Sequence, residues 1–473
     1  MKIIGRTREQ DQLERCLFSQ KPEFIVVYGR RRVGKTFLIK EFFNNQFAFY
    51  ATGLLNGKTH SQLKNFNESL ISYGDKEKIV PRDWYEAFRR LRILLKDEKV
   101  YRDAVSGRKV VFLDEVPWMD TARSDFRTAL DHFWNGFGSS EQELLLIVCG
   151  SATSWITSHI LFDKGGFYNR ITGKMLLNPF TLQECEAFFE NSGIVLTRRQ
   201  IIESYMVFGG IPYYLNLFDK RQGLVQNIDE LVINPQGQLH FEYDHLFESL
   251  FKNAKNHIRI IEAIAEKKTG MLRTELAEES GVSDGEGLTK ALRELEQCGF
   301  IRRYKNYAKN KQGYYYQLID PFVLFSYRFL REEKVDSWQG FYKTGAYYSW
   351  RGNAFEIVCL CHIPQIKQAL GISGVSSTEY SWRSASKKGG AQIDLLIDRR
   401  DDVINICEMK YTDTEFVIDQ KYEEELRTRV ELFRTEVRSD KALHITLVTE
   451  GGLKRNEYSD VVQNVVSGDD LFV

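Results

Sequence analysis

The chain has 473 residues, 43% apolar and 27% charged, enough for about three domains with cores of their own. Lys and Arg (65) balance Asp and Glu (65); this excludes a globally basic nucleic-acid binder, so any such surface must be local. The seven cysteines (16, 149, 185, 298, 359, 361, 407) form no CxxC pair, and the eight histidines give no HExxH or zinc spacing. That excludes a zinc motif and points to reduced thiols in a cytoplasmic protein. The opening MKIIGRTREQ does not read as a signal peptide, and no apolar run approaches a membrane span.

Gly5-Arg6 precedes an amphipathic helical segment at residues 9–18. Residues 24–28 form a short apolar run of the kind a buried parallel strand has, and residues 29–36 then read GRRRVGKT. This fits G-x-x-x-x-G-K-[ST] at every fixed position. A helical pattern follows, with Phe37, Leu38, Phe42 and Phe43 apolar. Gly29 and Gly34 let the loop curl, so that main-chain N–H groups along Arg30, Arg31, Arg32 and Val33 and into Phe37 point at a phosphate. The positive end of the helix dipole adds to that field. Lys35 is expected to reach the β- and γ-phosphates of ATP, and the Thr36 hydroxyl to ligate Mg²⁺.

Residues 46–51 read as a second strand, and residues 54–104 as mostly helical. Residues 110–115, VVFLDE, end an apolar strand on two carboxylates, as the Walker B motif does. Asp114 would hold Mg²⁺, and Glu115 would orient or deprotonate the attacking water. Residues 144–149 are another apolar strand, followed by Ser151, a candidate γ-phosphate sensor and equally a candidate N-cap of the next helix, two roles that are compatible. Arg170, after a Gly165-Gly166 break, is either an arginine finger or a surface ion-pair partner.

The order G-R-x-x-E, GRRRVGKT, LDEVPW, CGSATSW, NR and GGIPYYL resembles the AAA+/STAND class of P-loop ATPases. It is most similar to archaeal and bacterial ATPases fused to a winged helix and a C-terminal nuclease-like domain. Gly210-Ile211-Pro212 resembles the G-x-P element that those proteins place in a helical lid over the nucleotide, which implies a ligand contact for Pro212. A plain loop is the other reading of the same residues. Lid helices are expected at 182–189 and 197–208.

Helices at 258–266, 272–280 and 287–298, then strands at 300–304 and 314–319, give the winged helix-turn-helix order. The hairpin loop carries Lys305, Lys309 and Lys311 for phosphates. The third helix and its lead-in set Lys290 and Arg293 against Asp284, Glu286, Glu294 and Glu296. Protein–protein or interdomain packing therefore stands level with DNA binding for this module.

Residues 349–363 are apolar on nearly all sides, so a buried helix is expected, with Glu356 inside it needing a cationic partner. A strand at 378–383, a turn at 387–390, a hairpin of 392–398 with 403–411, a helix at 419–433 and a strand at 444–449 complete an α-β-β-β-α-β order. Strand period two puts Glu408 and Lys410 on one face. A five-residue turn would set Asp394 opposite Glu408, and two carboxylates that close call for Mg²⁺ or Mn²⁺ between them. Lys410 would orient or activate water there. These positions resemble the PD-(D/E)xK nucleases through Glu356, Asp394 and Glu408-x-Lys410. Ile393 stands where a Pro often precedes the Asp. A structural ion-pair cluster is the competing reading. Lys421 and Tyr422 are further candidates for substrate phosphate.

The expected fold is thus α/β. It comprises a parallel-sheet P-loop core (1–180), a helical lid (181–255), a winged helix (256–335) and a restriction-endonuclease-like domain (336–473). The resemblance implies an ATPase coupled to a metal-dependent nuclease acting on DNA, with a homo-oligomer as one expected assembly. The alternative is a nucleotide-gated switch whose last domain binds nucleic acid or a protein without cutting.

Overall fold

The computed structural model of the chain describes residues 2–161, 166–167, 169–251, 253–307, 313–332, 335–384 and 391–473. Gly165, Lys309, Lys311 and the turn at 387–390 lie outside the described residues. The chain divides into two compact units, Met1–Asn178 and Pro179–Val473.

The first unit is built on five parallel strands, β1 (Glu23–Tyr28), β2 (Phe49–Thr52), β3 (Lys109–Asp114), β4 (Leu144–Gly150) and β5 (Gly173–Leu176), in the order β2-β3-β4-β1-β5. Every residue of β3 and β4 is buried, as expected when helices cover both faces of a parallel sheet. Helices Thr59–Ser72, Trp84–Lys96 and Phe126–Gly136 supply one covering layer. Leu63, Phe66, Trp84, Phe88, Leu91, Phe126, Leu130 and Phe133 from these helices share one core with Phe49, Val111, Leu113, Leu146 and Val148 of the sheet. The helix at 126–136 and strand β5 lay outside the sequence reading. Strand β2 starts three residues later than the 46–51 run.

The second unit begins with two helices, Leu182–Asn191 and Arg198–Phe208. Each opens with a reciprocal capping box, Thr181 with Glu184 and Thr197 with Gln200. Gly209 ends the second helix in the left-handed region, and Gly210 follows at φ 65°. A Cβ on Gly210 would lie 2.3 Å from the Phe180 carbonyl oxygen, so this close approach admits only glycine. Pro212 then starts the helix Pro212–Leu215, where its missing N–H costs nothing.

Next come helices Lys255–Glu266, Arg273–Ser280 and Glu286–Gln297 and a three-stranded sheet. The sheet comprises β6 (Met271–Leu272), β7 (Ile301–Lys305) and β8 (Tyr314–Leu318), in the order β6-β8-β7. Ile260, Ile261, Leu276, Leu288, Leu292, Leu295 and Phe300 form their common core.

The last part is a five-stranded mixed sheet of β9 (Ser377–Arg383), β10 (Gln392–Arg399), β11 (Val403–Lys410), β13 (Ala442–Thr449) and β15 (Asn464–Ser467), in the order β15-β13-β11-β10-β9. Two short strands, β12 (Phe416–Val417) and β14 (Leu453–Lys454), pair beside it. Helices Gly345–Cys361 and Gln420–Val437 accompany the sheet. Strand β15 lay outside the sequence reading.

The segments read from sequence as lid, three-helix module and C-terminal domain are all held within this one unit. Asn306, just past β7, bridges to Ser381 of β9, and the Tyr307 N–H donates to the Ser381 carbonyl at 2.9 Å. The Leu182 N–H donates to Nε2 of His362, whose Nδ1 therefore carries the proton toward the Val358 carbonyl. Complete burial holds that imidazole neutral, its pKa pushed down to about 4. Among the described residues all seven cysteines are free thiols, and no helix is long and apolar enough to cross a membrane.

Gly210→Ala is expected to destabilise the second unit by about 1–3 kcal/mol, since the new methyl meets a carbonyl oxygen in a left-handed backbone. Denaturant unfolding followed by circular dichroism measures this; an unchanged midpoint would show that the Phe180 segment yields freely.

Candidate functional sites

The carboxyl ends of β1, β3 and β4 lie side by side, which is where an open parallel sheet leaves its crevice. The loop after β1 leads into the helix Lys35–Phe42, with Gly34 at φ 89° capping it. Gly29, at φ 143°, runs so close to the following chain that a Cβ would sit 2.3 Å from the Leu177 carbonyl oxygen. Buried Lys35 donates to the carbonyls of Gly29 and Arg30 at 2.9 and 2.8 Å, which fixes its ammonium at the mouth of the loop. Arg6 braces the loop from behind, donating to the Val33 carbonyl at 3.1 Å. Only the G-R-x-x-E pattern hinted at Arg6. Arg31 and Arg32 are half-buried in the loop, with Arg32 at φ 70°, whereas Phe37 faces outward, 38% exposed, and packs little.

Thr36 Oγ1 donates to Asp114 Oδ2 at 2.8 Å. A hydroxyl and a carboxylate oxygen meeting at the base of a phosphate loop are hard-oxygen donors of the kind Mg²⁺ takes, so these residues fit the ion. Glu115 has φ 48°, a strained left-handed conformation for a side-chain-bearing residue, directly after the strand. Its carboxylate accepts from both the N–H and the hydroxyl of Ser151, at 3.0 and 2.9 Å. Burial pushes the Glu115 pKa up, against the pull of Lys35 and the Ser151 N–H. Ser151 is thus tied to Glu115. The N-cap alternative for it does not hold, because Ala152 occupies the cap position of the next helix. Arg170 is exposed and donates to the Asn135 side-chain oxygen; it makes no ion pair to a described residue. Pro212 belongs to the second unit.

The second constellation lies on the mixed sheet. Leu395 pairs with Cys407 and Leu396 with Ile406, a register that sets Asp394 across from Glu408. Asp394 also sits where the β9–β10 register slips between Ile393 and Leu396. Such a bulge re-aims a side chain and frees a main-chain group. Here the freed Asp394 carbonyl accepts from Ser381 Oγ at 2.6 Å and from Arg302 of β7 at 3.3 Å, while Gln392 donates to the Asp394 carboxylate. Neither the bulge nor Arg302 was legible in the sequence, because both depend on which chain lies beside β9.

Glu408 and Lys410 share a face and pair at 3.0 Å. Tyr422 donates to Glu408 Oε1 at 2.7 Å, and Arg429 binds Oε2. Burial alone would raise the Glu408 pKa, but Lys410 and Arg429 outweigh it and hold the group below its ordinary value. Glu356, on the helix Gly345–Cys361, departs from the expectation of a cationic partner, making no hydrogen bond or ion pair to a described residue. Burial and the charge of Asp394 push its pKa up to about 8, against weaker pulls from Lys410 and Lys268. Among the described residues no group of three His, Cys, Asp or Glu side chains could hold a metal ion. Asp394 and Glu408, set across from each other, supply two hard carboxylate groups of the kind Mg²⁺ or Mn²⁺ takes.

A third cluster joins helix Arg198–Phe208 to the strand ends. Glu203, 7% exposed, accepts from the hydroxyls of Tyr347, Tyr411 and Tyr342 at 3.0, 3.2 and 3.3 Å. Arg199 grips Glu450 with two hydrogen bonds, 2.9 and 2.6 Å, and Arg351 grips Asp413 with two, 2.6 and 2.8 Å. Tyr411 directly follows Lys410, and Glu450 directly follows β13.

Residues 4–218 match a family described as an ATPase domain predominantly from Archaea. It is similar to an uncharacterized protein of Methanocaldococcus jannaschii, 27% identical over 339 residues, which are 69% of each chain. It is also similar to an uncharacterized ATP-binding protein of the same organism, 49% identical over 44 residues, 9% of this chain and 75% of that one. Among solved structures, the Walker-type ATPase PABY2304 of Pyrococcus abyssi matches 69% of this chain and 96% of its own, at 20% identity and a TM-score of 0.50. That likeness supports the α/β fold with its parallel P-loop core.

Burial raises the Glu203 pKa above the ordinary 4.5, although the tyrosine hydroxyls of residues 347, 411 and 342 pull it down. The folded state therefore holds this proton more tightly than the unfolded chain. The resulting stability is fully present below pH 4.5 and is lost as pH rises through the folded value. Glu203→Gln is expected to remove that decline, so its melting temperature relative to wild type should climb as pH rises above about 4.5. A constant difference across the range would mean that Glu203 is ionised throughout.

Proposed function

We propose that this chain is an ATP-hydrolysing enzyme whose nucleotide cycle controls a Mg²⁺- or Mn²⁺-dependent nuclease-like site acting on DNA. The ATPase half rests on the family match and on the loop geometry. Lys35 would meet the terminal phosphates, and main-chain N–H groups of residues 29–36 would line them. Thr36 and Asp114 would hold Mg²⁺, which supplies charge neutralisation to the phosphates. Glu115 is the base or orienting group for water, and the Ser151 hydroxyl that now holds it is also the candidate γ-phosphate contact. In this reading Arg170 approaches the nucleotide from outside the loop, in its own subunit or in a neighbouring copy.

One observation carries the coupling. Helix Arg198–Phe208 falls inside the 4–218 match to the ATPase family, yet its Glu203 and Arg199 are bonded to Tyr411 and Glu450 at the ends of β11 and β13. An element of the ATPase domain thus grips the strand that bears Glu408 and Lys410. We read residues 256–335 as the winged helix. Its third helix is poorly suited to a DNA backbone, because Glu294 holds His257 and Glu296 holds Arg303. Its hairpin packs on β9, which favours the interdomain role. The nuclease-like reading rests on Glu356, Asp394, Glu408 and Lys410, with Lys410 oriented to direct water at a phosphodiester.

The second reading is a nucleotide-gated binding protein that holds nucleic acid or a protein without cutting. The engagement of both Glu408 oxygens by Arg429, Lys410 and Tyr422 favours it. Two experiments separate the claims. Lys35→Ala should abolish ATP binding in calorimetry, and Glu115→Gln should bind ATP while hydrolysing it about 10²-fold more slowly; unchanged turnover in both would refute the ATPase assignment. Wild-type protein with Mn²⁺ should nick supercoiled plasmid in a nucleotide-dependent way, and Lys410→Ala should not. No cleavage under any nucleotide condition would leave only the binding switch.

A further inference from the structure

Tyr422, Leu426, Arg429 and Phe433 recur at helical spacing along one side of the helix Gln420–Val437. Leu426 and Phe433 are buried, at 3% and 0% exposure, so this side packs on the sheet. Arg429 belongs to the packed side, yet its side chain stays 23% exposed. One N–H, on Nη1, meets Glu408 Oε2, and among the described residues this is its only hydrogen-bond partner. A guanidinium has five N–H donors, so most of this fork is left unused. Lys410 and Tyr422 already serve the other carboxylate oxygen, at 3.0 and 2.7 Å. Glu408 therefore carries two cations where one would neutralise it.

We propose that Arg429 is the residue that grips the DNA phosphodiester at this site, and that it rests on Glu408 until a divalent ion takes that carboxylate. The inference rests on the nuclease-like reading above and deepens it. A divalent ion on Asp394 and Glu408 would leave too much positive charge beside one carboxylate, and Arg429 would be driven off it. The planar fork matches two phosphate oxygens, as an ammonium does not. The helix brings Arg429 in next to Glu408, and so next to any phosphate that shares a metal with Glu408. Arg429 thus acts first as a stand-in cation and then as a substrate clamp.

The test uses the full-length protein without nucleotide. Mn²⁺ is titrated calorimetrically, and a fluorescein-labelled DNA duplex is titrated by anisotropy in Ca²⁺ at several salt concentrations. Arg429→Ala should bind Mn²⁺ several-fold more tightly, having lost the competing cation. It should bind DNA about tenfold more weakly, with the slope of log affinity on log salt reduced by about one. Arg429→Lys should keep Mn²⁺ affinity near wild type, because a cation remains, and recover only part of the DNA affinity. Thermal melts confirm that each variant is folded; should Arg429→Ala fail to fold, Arg429→Lys against wild type carries the comparison. Mn²⁺ and DNA binding unchanged in Arg429→Ala, with wild type binding both, would overturn the role of Arg429 alone. Wild type binding neither Mn²⁺ nor DNA would overturn this inference together with the nuclease-like reading.

Discussion

A carboxylate taken out of water must find donors or give up its charge, and the working parts of this chain are arranged around that constraint. Glu115 is met by the hydroxyl and N–H of Ser151. Glu203 is met by three phenols and no direct cation, an arrangement that lets it remain in the interior with either protonation state satisfied. Glu408 is over-supplied, by two cations and a phenol. Glu356 is under-supplied and is driven toward its neutral form by burial and by Asp394. The same residue type thus meets four environments. Buried acids at the ends of strands are otherwise costly places to keep a charge.

Much of this was legible in the chain itself. The phosphate loop has its four fixed residues in a strand–loop–helix context, so its geometry follows from local rules for glycine and helix ends. Asp114 and Glu115 close a strand whose uniform burial its apolar run announced. The Asp394–Glu408 pairing followed from turn length and period two alone. What stayed hidden depends on partners distant in sequence. The Ser151–Glu115 bond needs β4 placed so that its end meets that of β3, 36 residues apart. The Glu203 cluster draws Tyr342, Tyr347 and Tyr411 from segments up to 208 residues away. Arg429 lies in a charge-rich helix where spacing alone does not separate it from its solvated neighbours. Strand β15 is a short run, Asn464–Ser467, whose strand character comes from its pairing with β13.

The bulge in β10 shows how a neighbouring module can set the geometry of a site it does not enter. A register slip releases the Asp394 carbonyl, and Arg302 from β7, together with Ser381 from β9, accommodates it. The conformation of the strand that bears Asp394 is therefore shared between two sheets. Substituting Arg302 would act on Asp394 through its backbone, at a distance from the carboxyl group itself.

The bridge between Asn306 and Ser381 bears on how the chain can be divided. Strand β9 is an outer strand, and an open outer strand is an invitation to another polypeptide. Here the hairpin backbone occupies part of that margin, and the Tyr307 ring leans on Tyr380 and Phe433 beneath it. A cut at the seam that the sequence suggests near residue 336 would strip this cover and leave a fragment prone to self-association. Residues 179–473 are thus one compact unit in which hairpin and sheet are joined through backbone.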